Sequence, residues 1–313
     1  MKKITLLTIL FTCTYAFSQY RYPEKEMANF ALGKTLAVQL LDEVGDNEKF
    51  SNAALKQIFE LEWKTTQVEF MTREKMDGLI ASKNESYAYL KQGDRVLSDV
   101  RSRYIGPNGG ITAIGPGPTD SRKENYAAFT FSFYTFELEV LNEKGKLENV
   151  TTIGFANNEL TKLDYLFLAQ QLGRLLNSSS NGIPSKEYCN IDENTDRVKQ
   201  TTLILPKDFF TERDQEKLDS YYDENFELVD WEDYQKTVLE KDSNKSYVKI
   251  TWSLQHELYM WLVVDARDGA VLSQLGFGGV KFGRHHEAND IIKAKHLQYI
   301  TNKKAQKFNN RYN

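Results

Sequence analysis

Three groups of residues in this chain have the types and spacing to do chemistry. The first is basic. Arg101, Arg103 and Arg122, with Arg95 and Lys123 nearby, border a stretch reading "IGPNGGITAIGPGPTDSRKEN" in which Gly and Pro crowd together. Guanidinium groups hold carboxylates and phosphates in a forked geometry, and backbone N–H groups near Gly109 and Gly110 could complete an anion site. The competing reading is a surface loop with no ligand. No Gly-Lys-Ser/Thr follows Gly110 or Gly117, so this is not a phosphate loop of the Walker kind. Its glycines do not lie between a strand and a helix, which excludes a dinucleotide fingerprint.

The second group is "GRHHEAND", with His285, His286, Glu287 and Asp290. His286 and Asp290 are four apart, share a helix face, and could fill two sites of a metal. No third ligand is identifiable beside them; His256, Glu257 and His296 are the nearest further donors in type. The alternative is a polar helix start whose acidic side chains sit near the positive end of the helix dipole. No metal or cofactor is assigned. The third candidate is Cys189, but a thiol nucleophile needs a base and all four histidines lie after residue 255. A free thiol or an intermolecular contact is the expectation. Gly-x-Ser-x-Gly and His-Glu-x-x-His are both missing from the sequence. Carboxylates number 44, too many for a catalytic pair to be picked out by sequence.

The elements that must position these residues occur twice. "KTLAVQLLDE" (34–43) is answered by "QTTLILPKDF" (200–209), each an apolar run suited to a buried strand. "NAALKQIFELEW" is answered by "DQEKLDSYYDE", and "VEFMT" by "FELVD". Thr72 and Asp230 then stand as helix N-caps, each ahead of a short helical period. Polar turns lead to "SYAYL" (86–90) and "SYVKI" (246–250), which sets Tyr87 against Tyr247. Two hairpins follow, with Gly145 and Gly269 supplying positive φ, and each half closes on a helix, 159–176 and 287–300. The predicted fold is α/β with α+β character, two tandem copies of a β-α-β-α-β-β-β-α unit. Each copy is a mixed sheet, parallel where helices cross over and antiparallel at the hairpin. The division is 19–176 for the first repeat with a Gly/Pro-rich insertion at 91–126, then a polar linker at 177–196. The second repeat spans 197–301 and a basic polar tail 302–313.

Two strands carry extra information. "YMWLVV" (259–264) is apolar without alternation, as in a central strand covered on both faces. Phe129, Phe131 and Phe133 alternate on odd numbers and Phe136, Leu138 and Val140 on even ones, which predicts a bulge near Tyr134-Thr135. Within the insertion, Val96, Leu97 and Val100 suggest a short helical turn between Asp94 and Tyr104. Residues 106–118 have almost nothing to bury and are expected to order only on binding. The four tryptophans are expected in the core or half-buried.

The N-terminus carries Lys2 and Lys3, an apolar run from Ile4 to Phe17 and then Ser18, the parts of a bacterial secretory signal. The run is too short to span a bilayer, which takes about 20 residues, and no later stretch is apolar enough. Removing the leader leaves Cys189 as the only cysteine, hence no internal disulfide, and shifts the net charge from −4 to −6. A mildly acidic, mixed surface argues against nucleic acid as a partner.

The two-copy layout, with "KTLAVQLLDE", "VEFMTREKMDGL" and "SYAYL" echoed by "TLILPKDF", "FELVDWEDYQKTVL" and "SYVKI", resembles a group of secreted bacterial proteins with no assigned activity. A single unit is also similar to the small α/β module at the N-terminus of TolB and in CsgG-like envelope proteins, through Met71 to Ile80. The functional expectation is a non-catalytic periplasmic or secreted binding or assembly protein of the bacterial envelope, with an envelope protein or an anionic ligand as partner. The alternative is a carboxylate-dependent hydrolase with its site near 91–126 or between the repeats. The leader's Ala16-Phe17-Ser18 ending sets the first testable outcome. Intact mass of protein recovered from the periplasm or medium should begin at Gln19, and a retained leader or a lipidated Cys13 would refute it.

Overall fold

The computed structural model describes residues 21–105, 111–112, 122–156, 160–253, 258–276 and 293–309. The chain opens with α1 (Lys25–Leu32), β1 (Thr35–Leu40), α2 (Asp46–Glu62), β2 (Val68–Thr72) and α3 (Arg73–Ala81). Next come β3 (Tyr87–Ile105), the two-residue β4 (Ile111–Thr112), β5 (Arg122–Leu141), β6 (Leu147–Gly154) and α4 (Lys162–Ser180). After the short α5 (Ser185–Tyr188), the series runs again: α6 (Ile191–Gln200), β7 (Thr202–Pro206), α7 (Glu212–Gln215), β8 (Phe226–Val229) and α8 (Trp231–Leu239). It ends with β9 (Lys245–Ser253), β10 (Leu258–Asp265), β11 (Val271–Gly276), a 3-10 turn at Ala294–Tyr299 and α9 (Lys303–Asn309).

The strand order is β2-β1-β3-β5-β6 in one sheet and β11-β10-β9-β7-β8 in the other, the same order read from opposite ends. In each sheet the first three strands are parallel and the hairpin is antiparallel. The likeness extends to irregularities. Lys83 and Lys241, at the turns after α3 and α8, both take the left-handed conformation, with φ of 55° and 56°. The hairpin ladders slip at Leu138/Glu139 and at Val263/Val264. The echo of "SYAYL" in "SYVKI" is out of step, however. Ala37 pairs with Tyr89 where Ile204 pairs with Tyr247, so Tyr89 and not Tyr87 corresponds to Tyr247. Ladder register is set by hydrogen bonding and by which face is buried, and a sequence echo can slip by two without changing face.

β1 reaches β2 through α2 on one face of the sheet. β2 then crosses back over β1 to β3 through α3 on the other, as right-handed crossovers in opposite directions require. One face, carrying Leu36, Val38, Leu90, Phe136 and Leu138, packs on α1, α2 and α4. The opposite face, carrying Ala37, Met71, Tyr89 and Leu141, packs on α3 through Met76.

α4 joins the halves. From Leu163 to Ser179 it buries twelve residues. Its apolar neighbours include Phe136 and Phe155 of the first repeat and Ile204, Tyr247, Leu262 and Val264 of the second. The helix that closes the first repeat thus also covers the α8 face of the second sheet. At its N-terminus a capping box ties Thr161 to Asp164, whose Oδ2 accepts from Thr161 N and Oγ1, each at 2.7 Å. Asp164 Oδ1 accepts from Lys249 of β9, and both side chains are almost fully buried. Further along, Gln171 Nε2 donates to Gly269 O, and Gly269, at φ 72°, lies so close that an added Cβ would meet Gln170 Cβ at 2.7 Å. A bridge between Phe155 and Thr251 links β6 directly to β9.

Equivalent positions of the two sheets differ in polarity at one place. Lys91 and Lys249 correspond, and so do Glu137 with Leu262 and Glu139 with Val264, by the pairings of β5 and β10 with β3 and β9. In the second sheet the leucine and valine meet α4. In the first, Lys91 pairs with Glu139 at 2.7 Å.

Several sequence expectations change. The odd-to-even switch in β5 is not a bulge: Tyr134 and Thr135 stay in register with Asp94 and Gly93, and the ladder slips instead at Asp99/Val100. Phe133 packs beside Trp252 at 5.4 Å while Phe136 packs beside Phe155, so the switch records two cores on opposite faces. β10 behaves as a covered central strand for the same reason, with Trp261 and Val263 in one core and Leu262 and Val264 in the other. The stretch 177–196 contains the end of α4, α5 and the start of α6, with Thr195 and Cys189 buried. The tail forms α9, whose Gln306 is buried and accepts from Gln274 N at 2.9 Å. Trp231 is 39% exposed while the other three tryptophans are buried. Asp230 makes no side-chain cap, its carboxylate taken by Lys207, whereas Thr72 does cap α3.

Two outcomes follow. Removing one partner of a buried ion pair leaves an uncompensated charge and costs about 3–5 kcal/mol. Asp164→Ala should lose that much in urea unfolding, and Asp164→Asn with Lys249→Met should lose far less than the two single changes added. Additive losses would show the pair does not couple the repeats. In the second core, burial lowers the His296 pKa to about 4, helped by Lys295 and Lys293 and opposed by Asp214. The folded value lies below the unfolded one, so this stability is whole above about pH 6.5 and is lost as pH falls toward about 4. His296→Gln should flatten that part of the stability profile; an unchanged slope between about pH 7 and about pH 5 would refute it.

Candidate functional site

A concavity with a volume of about 930 Å³ lies between the repeats. Its position follows from topology. The crossover from β1 to β2 and the one from β2 to β3 run in opposite directions, and open α/β sheets bind ligands at such a switch point, outside the carboxyl ends of the strands. Leu41, just past the end of β1, and Asn47, Glu48, Phe50 and Ser51 in the first turns of α2 form one wall. Gln92 and Tyr134, where β3 and β5 leave the sheet, form a second. Leu160, Thr161 and Lys162 at the start of α4 lie at one end, and α8 of the second repeat closes the cleft with Glu232, Gln235, Lys236, Leu239 and Glu240.

The lining is amphipathic. Leu41, Phe50, Tyr134, Leu160 and Leu239 offer apolar surface, and Phe50 is 64% exposed despite its size. Charges are mixed, three glutamates against Lys162 and Lys236, so the cleft does not present one sign to a ligand. The Oε1 atom of Gln92 is buried without a hydrogen-bond partner among the described residues, a polar acceptor available to a ligand donor. Ser51 and Tyr165 share a hydrogen bond below the α2 wall, and burial pushes the Tyr165 phenol up to about 12. Burial likewise raises the phenols of Tyr188, Tyr234 and Tyr247. These neutral phenols belong to packing, and Tyr234 donates to Val248 O.

The basic candidates lie farther along the chain. The insertion 91–126 is for the most part a continuation of β3 and β5, not a loop, and Asp94–Tyr104 is strand, not helix. Cross-strand pairing with β5 supplies the backbone bonds that a short helical turn would have had to make alone. Arg101 stands opposite Tyr126, Arg103 opposite Glu124, and Arg122 opposite Ile105. Gly109 and Gly110 lie outside the described residues, as do most of 106–118 and the four residues His285, His286, Glu287 and Asp290. Cys189 is buried in the core and its Sγ accepts from Gln274 Nε2 at 3.0 Å. Among the described residues no three His, Cys, Asp or Glu side chains gather as a metal would need, and no helix is long and apolar enough to cross a membrane.

Sequence reasoning did not find the cleft. Its lining comes from five separated segments that adjoin only because α4 packs on both sheets. The one legible trace was an oversized apolar residue, Phe50, among the polar residues that open α2. Fold and cleft together define a two-repeat α/β protein with a ligand-sized groove between its repeats. Comparison with protein-family models, with curated proteins and with solved structures found no match.

Proposed function

We propose that this is an exported binding and assembly protein of the bacterial envelope, released after Ser18, that holds its ligand in the cleft between the repeats. The observation that carries the reading is the cleft itself: a preformed amphipathic groove at the switch point of the first sheet, floored by the helix that fastens the repeats. Apolar walls with a few polar groups are the usual form of a ligand site. The mixed charge of the rim favours a ligand with apolar surface and both donors and acceptors, such as a short peptide or a peptide-bearing cell-wall fragment. The signal-like leader and the resemblance to secreted two-repeat proteins support the location.

A second reading keeps the carboxylates. Glu48, Glu232 and Glu240 face one cleft, and a hydrolase would draw its acid and base from them.

Thermal shift against a panel of short peptides, muropeptides and anionic headgroup lipids in micelles tests both. A ligand present at about a hundred times its Kd stabilises the fold by about 2.7 kcal/mol. Phe50→Asp, a change at an exposed position, should leave Tm within about 2 °C while removing that stabilisation. A stabilising compound that ignores Phe50→Asp would place the site elsewhere. Turnover of a panel compound that is lost in Glu48→Gln, Glu232→Gln or Glu240→Gln would replace the binding reading with the hydrolytic one.

A further inference from the structure

β3 and β5 run far beyond the sheet they belong to. β1 pairs with β3 only as far as Leu90, and β6 pairs with β5 only back to Thr135. From Asp94 opposite Tyr134 to Ile105 opposite Arg122 the two strands continue as a ribbon, roughly 36 Å long at about 3.3 Å per residue. A two-stranded ribbon is marginally stable on its own in water, and its edges are templates for another strand.

The hydrogen-bond phase says which groups of β3 face that edge. Thr35 N donates to Ser86 O at 3.1 Å, so even-numbered residues of β3 turn their N–H and C=O groups toward β1. Past Leu90, where the pairing with β1 has ended, the same phase turns Gln92, Asp94, Val96, Ser98, Val100 and Ser102 outward. Among the described residues only β4 pairs along this side, at Tyr104 and Ile105.

The second repeat shows what covers the corresponding edge. β7 leaves β9 after Tyr247, and the edge beyond is met antiparallel by a strand end from the neighbouring repeat, Phe155 against Thr251. The fold therefore already closes this edge once with an antiparallel backbone from another unit.

The sequence of β3 is suited to pairing with itself. Outward-facing residues must meet outward-facing ones, so a two-fold axis can pass only through a residue, not between two. An axis at Leu97 sets Arg95 opposite Asp99 of the second copy, and Asp99 opposite its Arg95. An axis at Ser98 would set Arg95 against Arg101, and one at Asp99 would set Asp99 against itself, like charges in both cases. An axis at Val96 opposes Arg101 to Lys91 and pairs no opposite charges; one at Val100 would pair Asp99 with Arg101, but it lays Val96 against Tyr104, where β4 already pairs. The like-charge pair left by the Leu97 axis, Lys91 with Arg103, is moderated by Glu139 on Lys91.

We propose that two copies of the protein join through this edge, β3 on β3, antiparallel about a two-fold axis at Leu97. The interface is isologous and closed, each copy offering the same surface. It does not depend on what the cleft binds. Sedimentation of the exported protein over a concentration series should show a reversible dimer. Ser98→Pro deletes an outward N–H in each copy while leaving the β5 ladder intact. It should raise the dimer dissociation constant at least about tenfold with an unchanged Tm. Leu97→Cys should cross-link as a dimer under mild oxidation, since directly opposed residues of antiparallel strands lie within disulfide range. Val44→Cys, at a position 90% exposed, should not, nor should the unaltered protein, whose Cys189 is buried. A monomer at every concentration, a dimer indifferent to Ser98→Pro, or a dimer that Leu97→Cys does not cross-link would overturn the proposal; should Ser98→Pro misfold, the cross-link alone decides.

Discussion

Much of this molecule is arranged around one helix, α4, whose residues from Leu163 to Ala169 are all buried. α4 closes the first repeat, as the terminal helix of such a unit must, and in the same turns it supplies the cover that the second sheet needs for Ile204, Tyr247, Leu262 and Val264. A stretch as apolar as Leu163 to Ala169 has to be covered on every side. The ion pair between Asp164 and Lys249 adds direction to that constraint. Apolar packing alone would let a helix slide between two sheets, whereas a buried carboxylate held by Thr161 and Lys249 has one satisfactory position. The turn at Gly269, docked on Gln170 and Gln171, fixes the helix at a second level.

The cleft is a by-product of that arrangement. α2 and α8 belong to different repeats and stand on opposite sides of the N-terminal end of α4, so they face one another across a gap that neither can fill. The projecting strands are a second by-product, of unequal strand length. β1 and β6 stop where the body of the sheet stops, and β3 and β5 do not. Both features arise where two repeats with the same plan are elaborated differently.

How much of this was legible depends on the range of the interactions involved. Element order, strand directions and the duplicated plan come from local grammar: period, cap and turn glycine. The structure repeats them strand for strand. The slip between Tyr87 and Tyr89 shows where local grammar stops, because register belongs to the ladder. Phe133 and Phe136 make the same point. Their change of parity was visible, but whether it meant a kink or a second core depended on what lies beyond the sheet, and Trp252 lies more than a hundred positions away. The helices in 177–196 were hidden by polar composition, since α6 buries only Asn194, Thr195 and Val198. The cleft was wholly a matter of long-range packing.

The exchange of Leu262 and Val264 for Glu137 and Glu139 also bears on how such a chain could have grown. A duplicated unit whose closing helix covers the next unit's sheet is a head-to-tail design with no inherent end, the geometry from which solenoids are made. Further units could stack in front of the first only if its outer sheet face accepted an apolar helix. That face instead carries Lys91 bonded to Glu139, and burying the pair under leucines would strand charges without water. Lys91 and Glu139 thus make this face of the first sheet a poor seat for an apolar helix, unlike its counterpart in the second sheet.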